Sequence, residues 1–231
     1  MPYRNPAQRA VTPQGAGRFG DFDVLEEVRR WDDVTAGVVL ARLAPSTDLS
    51  FFDLAETAAA SALCDLLLAQ DAEPRVPVVA LIDARLALGE TDGWHYDDMP
   101  DDATTWRDSL RALDADAHDL GAERFAALDV QGQTTVVQRI QDLGSGRWRG
   151  LHAGHLWSLW TRYVCAAYYS HPWAWNEIGF GGPAYPRGYK NRGIERRERW
   201  EVRDRSDEDP VPFAERVERA RRAHEKLLGD R

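Results

Sequence analysis

Cysteine is scarce in this chain and long hydrophobic runs are missing. Cys64 and Cys165 are the only two cysteines in 231 residues. Far apart and in no metal-like spacing, they describe no disulfide framework, and two buried free thiols are expected. The apolar stretches fall short of the roughly 20 residues that a spanning helix needs, and charge interrupts them. The N-terminal stretch carries proline and arginine but no apolar run. Arg29-Arg30 leads into Trp31-Asp32-Asp33 rather than a hydrophobic region, so neither a secretory nor a twin-arginine signal is read there. A cytoplasmic location is expected, the alternative being export alongside a signal-bearing partner.

A basic surplus is missing as well. The formal net charge is -9. Between Glu90 and Asp129 there are twelve acidic and three basic residues, whereas from Glu195 to the end the two signs balance at eleven each. The excess therefore sits in one central segment. No uncompensated Lys/Arg patch remains to displace counterions from a phosphate backbone, which argues against nucleic acid as a partner.

Catalytic signatures are equally sparse. There is no GxGxxG after a strand, no GxxxxGK[ST] and no GxSxG. Gly179-Phe180-Gly181-Gly182 follows a helix but lacks a succeeding helix whose N-terminus would hold an anion. His152 and His155 lie three apart on an expected helix and can share a face, with His171 closing the same helix. Zinc takes three or four ligands, and no HExxH or CxxC completes the set. His171, in front of Pro172, reads as a helix-end cation on the last carbonyls. Asp97-Asp98 and Asp101-Asp102 do not follow the ligand order of a calcium loop and read as a solvated acidic loop. Glu177 has no partner acid or base at a known offset. No catalytic, cofactor-binding or metal-ligating set is assigned.

What the chain does have is helical periodicity. Residues 1–20 read as a loose leader, 21–191 as a helical domain and 192–231 as a charged tail with a thin amphipathic stripe and a possible peripheral helix. Val24, Leu25, Val28 and Trp31 have helical spacing, and Val38 to Leu43 form a second such group. The clearest helix is FFDLAETAAASALCDLLLAQD, ended by Pro74 and Pro77. Helices follow at about 78–88, 104–121 (stripe Trp106, Leu110, Leu113, His118), 123–128 and 133–143. LHAGHLWSLWTRYVCAAYY, apolar on nearly every side, is the expected central helix. Pro172 then opens a segment crowded with aromatic, glycine and proline residues. The expected fold is all-α: an irregular helical bundle with a long aromatic Gly/Pro-rich C-terminal loop and a charged tail.

HPWAWNEIGFGGPAYPRGYKN, taken with the alanine-rich helix, VVALIDARL, the helix ending in Tyr168-Tyr169 and the trailing RERWE, resembles the gluconate 2-dehydrogenase subunit 3 family. The similarity runs from Phe51 to Trp200, and its specific part is W-x-x-I-G-[FY]-x-G-P-x-x-P-x-G-Y, from Trp175 to Tyr189. The resemblance implies a non-catalytic small (gamma) subunit. Its partner would be a large flavoprotein of the glucose-methanol-choline (GMC) type, which carries FAD and the active site for a sugar or polyol. The small subunit would bind, stabilise and help mature that partner, while a cytochrome or another electron acceptor takes the electrons onward. Members of the family commonly carry a twin-arginine signal, which is not read here.

An aromatic loop on a rigid helix suits such an interface, because Trp and Tyr bury large area with little side-chain entropy lost. Trp173, Trp175, Ile178, Phe180, Pro183, Tyr185, Pro186 and Tyr189 are the expected contact residues, either touching the flavoprotein or shaping the loop that does. The competing expectation is that the rings fold back onto Trp157 and Trp160 as a satellite core. Two other functions stay open: a helical metal-binding protein or small enzyme using His152, His155 and His171, and a general adaptor.

Overall fold

Aspartate opens four of the α-helices. Its side chain accepts from an amide of the first turn, satisfying one of the orphan donors there, a contact generally worth about 1 kcal/mol. Asp32 accepts from Thr35 at the start of α1 (Asp33–Ala41), and Asp53 from Glu56 at the start of α2 (Leu54–Leu68). Asp101 accepts from Thr104 for α4 (Asp102–Asp119), and Asp129 from Gly132 for α5 (Val130–Asp142). In α2 the Glu56 side chain reaches back to the Asp53 amide, completing a capping box. α3 (Val78–Ala87) begins directly after Pro77. α6 (Ala153–Ser170) and α7 (Pro172–Ile178) are capped by histidines. The computed structural model describes residues 10–15, 19, 21–46, 48–189, 196–198 and 200–202. The peripheral helix expected in the tail and most of the expected leader lie outside them.

The chain divides into two units, Met1–Glu201 and Val202–Arg231, and the fold described here belongs to the first. It is the expected all-α bundle, with α6 touching α2, α3, α5 and α7. The core-facing residues of α6 are Leu156, Leu159, Trp160, Tyr163 and Val164, an i, i+3, i+4 stripe. They meet Leu63 of α2, Ile82 of α3, Trp106, Leu110 and Leu113 of α4, and Ile140 of α5 in one buried cluster. Among the described residues no helix is long and apolar enough to cross a membrane.

Three buried carboxylates inside this bundle have partners. Asp83 is only 2% exposed and accepts from the backbone amides of Ser50, Phe51 and Phe52 at 2.8, 3.0 and 2.8 Å, fixing the entry to α2 onto α3. The buried Glu56 carboxylate bridges Arg107 at 2.9 Å and Arg111 at 3.0 Å. Asp102 is buried and takes the Tyr163 hydroxyl proton donor at 2.8 Å. Each of these would carry a desolvation penalty if its partner were lost.

Several expectations are corrected. The 24–31 group is helical but as a 3-10 helix, Val24–Arg30, separated from α1 by Trp31 and the capping Asp32. On α4 the buried stripe ends on Ala117, and His118 is exposed. The loop after α5 holds a small antiparallel ladder, β1 (Arg147–Trp148) with β2 (Leu151–His152). Arg149 (φ 48) and Gly150 (φ 89) are its two turn residues, both in the left-handed region that a tight hairpin requires. Trp148 and Arg149 bind Asp116 of α4 and hold the hairpin down. Cys64 is buried as expected, but Cys165 lies on the exposed side of α6. Pro172 does not end helical structure: at the first position of α7 it needs no amide partner, so the irregular loop starts only at Gly179.

Candidate functional site

The aromatic segment is divided by α7 into an inward and an outward set. Trp175 is 5% exposed and packs with Val24, Trp31 and Val39 in a second, smaller core formed by the N-terminal elements. Its indole donates to the Tyr169 carbonyl at 2.6 Å. Trp173 is half-buried against the main core and lines a groove of about 520 Å³ together with Leu43, Leu49, Val78 and Val79. Ile178, Phe180, Tyr185, Pro186 and Tyr189 are exposed, Tyr185 and Tyr189 at 66% and 62%, and Pro183 is half-buried. The satellite core therefore exists for Trp175, but it is built on the 3-10 helix and α1 rather than on Trp157 and Trp160.

Buried polar contacts fix the loop from behind. Asn176, 1% exposed, accepts from the Val24 amide at 2.8 Å and donates to the Val11 carbonyl at 2.9 Å. Arg187 binds Glu27 at 2.6 Å, donates to the carbonyls of Gly181 and Pro183 at 3.0 and 2.8 Å, and lies 4.0 Å over the Trp200 ring. Gly181 and Gly182 are where the loop backbone meets two indoles. A Cβ on Gly181 would lie 2.6 Å from Trp200, and one on Gly182, already at φ +74, would overlap Trp31. These glycines serve close packing and not phosphate binding. Neither Asn176 nor Arg187 was singled out by sequence, because their partners lie far away along the chain.

The three histidines separate. His171 is fully buried, and its Nδ1 accepts from the Trp173 amide, capping α7. Burial pushes its pKa down to about 4, with a smaller upward pull from the Arg42 backbone and a further depression from the Arg42 guanidinium. It is thus neutral near pH 7, and the expected helix-end cation is Arg42 instead, which donates to the Ser170 carbonyl at 2.9 Å.

His152 and His155 do come together, and a third group joins them from the acidic loop. His152 caps α6 through Nδ1, accepting from the His155 amide at 3.2 Å, and the two rings stack at 3.8 Å. His155 Nδ1 lies 2.7 Å from Asp98 Oδ1, and Tyr96 stacks on the other face of its ring at 3.7 Å. Desolvation pushes the Asp98 carboxyl up, yet the hydrogen bond with His155 and the fields of His155, His152 and Arg147 leave it below its ordinary value. The acidic loop is therefore not simply solvated. Asp92 pairs with Arg85 and with Arg162 at 2.9 Å, Trp94 lies under the Arg162 guanidinium at 4.5 Å, and Met99 is buried.

No curated protein and no solved structure matches this chain. A family model does, described as gluconate 2-dehydrogenase subunit 3, over residues 55–182. The match spans α2 to α7 and stops within the Gly181-Gly182 turn, so it covers the bundle, Trp175 and Phe180. The chain belongs to the gluconate 2-dehydrogenase subunit 3 family, whose name describes an accessory subunit of a dehydrogenase complex.

Proposed function

We propose that this chain is a non-catalytic small subunit that binds, stabilises and helps mature an FAD-dependent, GMC-type sugar or polyol dehydrogenase. FAD and the reacting sugar reside in that partner, and electrons pass to a cytochrome or other acceptor without using residues of this chain. The observation that carries the reading is the outward aromatic set, Phe180, Tyr185 and Tyr189 with Ile178, on a loop fixed from behind by Asn176, Arg187 and Trp175. Exposed rings on a rigid support lose little entropy on docking, which is the physical profile of an interface hot spot.

Co-expression of the tagged chain with the nearest encoded GMC-type flavoprotein tests the reading. The expected result is a stoichiometric yellow complex active on a sugar panel, with the flavoprotein insoluble or inactive when expressed alone. A colourless, well-folded small subunit that leaves the flavoprotein soluble and active by itself overturns it.

A further inference from the structure

We propose that Asp98, His152 and His155 bind one divalent transition-metal ion, Zn²⁺ by preference, which clamps the acidic loop of residues 89–101 to the start of α6. One ligand atom from each residue lies within 4.8 Å of the other two. His152 is the N-cap residue of α6 and His155 lies in its first turn, three positions on, and the carboxylate comes from a loop that is itself fixed. Arg85 and Arg162 hold Asp92, the Tyr96 hydroxyl meets Ser158 at 3.3 Å, and Met99 is buried directly after Asp98. The carboxylate is therefore presented to the histidines by contacts that do not depend on the ion.

The donor set selects the ion. Two imidazoles and one carboxylate form the three-ligand arrangement in which zinc keeps a fourth position open, and imidazole suits Zn²⁺, Cu²⁺ and Ni²⁺. Calcium and magnesium need more oxygen ligands than this set offers. The positive end of α6 opposes a cation, whereas the Asp98 charge and the acidic surplus of the surrounding segment attract one.

The geometry also states what has to move. The imidazole planes of His152 and His155 are within 14° of parallel, so their in-plane lone pairs do not converge. His152 must turn about its side-chain torsions and release its 3.2 Å bond from the His155 amide, while the ion replaces the hydrogen bond between His155 and Asp98. Metal binding thus exchanges two local hydrogen bonds for three metal bonds.

The test uses the full chain without a histidine tag. Co²⁺ titration should give visible ligand-field bands saturating at one ion per chain, displaced by Zn²⁺, with Zn²⁺ raising the melting temperature as binding to the native state requires. His152→Asn keeps a capping oxygen and Asp98→Asn keeps the shape of an exposed residue, so both should retain the wild-type circular dichroism. Each should weaken Zn²⁺ binding at least ~100-fold, the upper end of what loss of even an outer partner costs. His95→Gln, on the same loop but outside the cluster, should bind as wild type. Absence of saturable binding, or wild-type affinity in both His152→Asn and Asp98→Asn, overturns the site.

Discussion

Replacing Trp175 and replacing Tyr185 should have opposite consequences, although both rings belong to one motif. Trp175 fills the small core with Val24, Trp31 and Val39, stacks edge-on against Phe180 at 5.4 Å and donates to the Tyr169 carbonyl. Truncating a buried indole to alanine costs about 3–5 kcal/mol, which for a unit of this size lowers the melting temperature by roughly 6–20 °C. Tyr185 is 66% exposed, so Tyr185→Ala should change stability by no more than about 0.5 kcal/mol. If that ring is an interface hot spot, its loss should cost about 2 kcal/mol of binding, roughly a 30-fold rise in Kd. Calorimetric melting of the isolated subunit and titration against the purified flavoprotein separate the two quantities. An unchanged melting temperature for Trp175→Ala would refute the assignment of that ring to the fold. Unchanged Kd for Phe180→Ala, Tyr185→Ala and Tyr189→Ala alike would refute the outward set as the docking face.

Three further outcomes follow from the buried contacts. Asp83→Ala strips three amides of their acceptor and should lower the free energy of urea unfolding by about 3 kcal/mol, with Asp83→Asn losing less because one oxygen remains. His171 has a folded pKa near 4, below its ordinary value, so the unfolded chain takes up the proton first. Its neutral, buried form therefore gives no differential stability above about pH 7, and stability should fall between about pH 6.5 and 4 by up to about 3 kcal/mol. His171→Asn, which keeps a capping oxygen, should flatten that part of the denaturation profile. Gly182→Ala sets a methyl against Trp31 at a positive φ and should destabilise by about 2 kcal/mol or more, whereas Gly188→Ala, at φ +64 with open space around it, should cost about 1 kcal/mol; paired thermal melts check the ordering.

The sequence by itself determined the helical class, the positions of the main helices and the family. Those signals are local or nearly so: apolar periodicity, proline breaks and a contiguous aromatic motif. It was silent on direction. Trp175 and Tyr185 carry the same kind of surface in the sequence, and only the packing of Val24 and Trp31, more than a hundred residues earlier, turns one ring inward and leaves the other exposed. The histidines behave likewise. Their spacing places His152 and His155 on one helical face, but the Asp98 that joins them comes from a loop 57 residues away from His155. The charge of His171 depends on the same kind of information: a histidine before proline at a helix end is a cation when solvated, and burial, which no neighbouring residue encodes, makes it neutral. Tertiary structure decides such features because they depend on desolvation and on contacts between segments whose separation leaves no periodic trace in the chain.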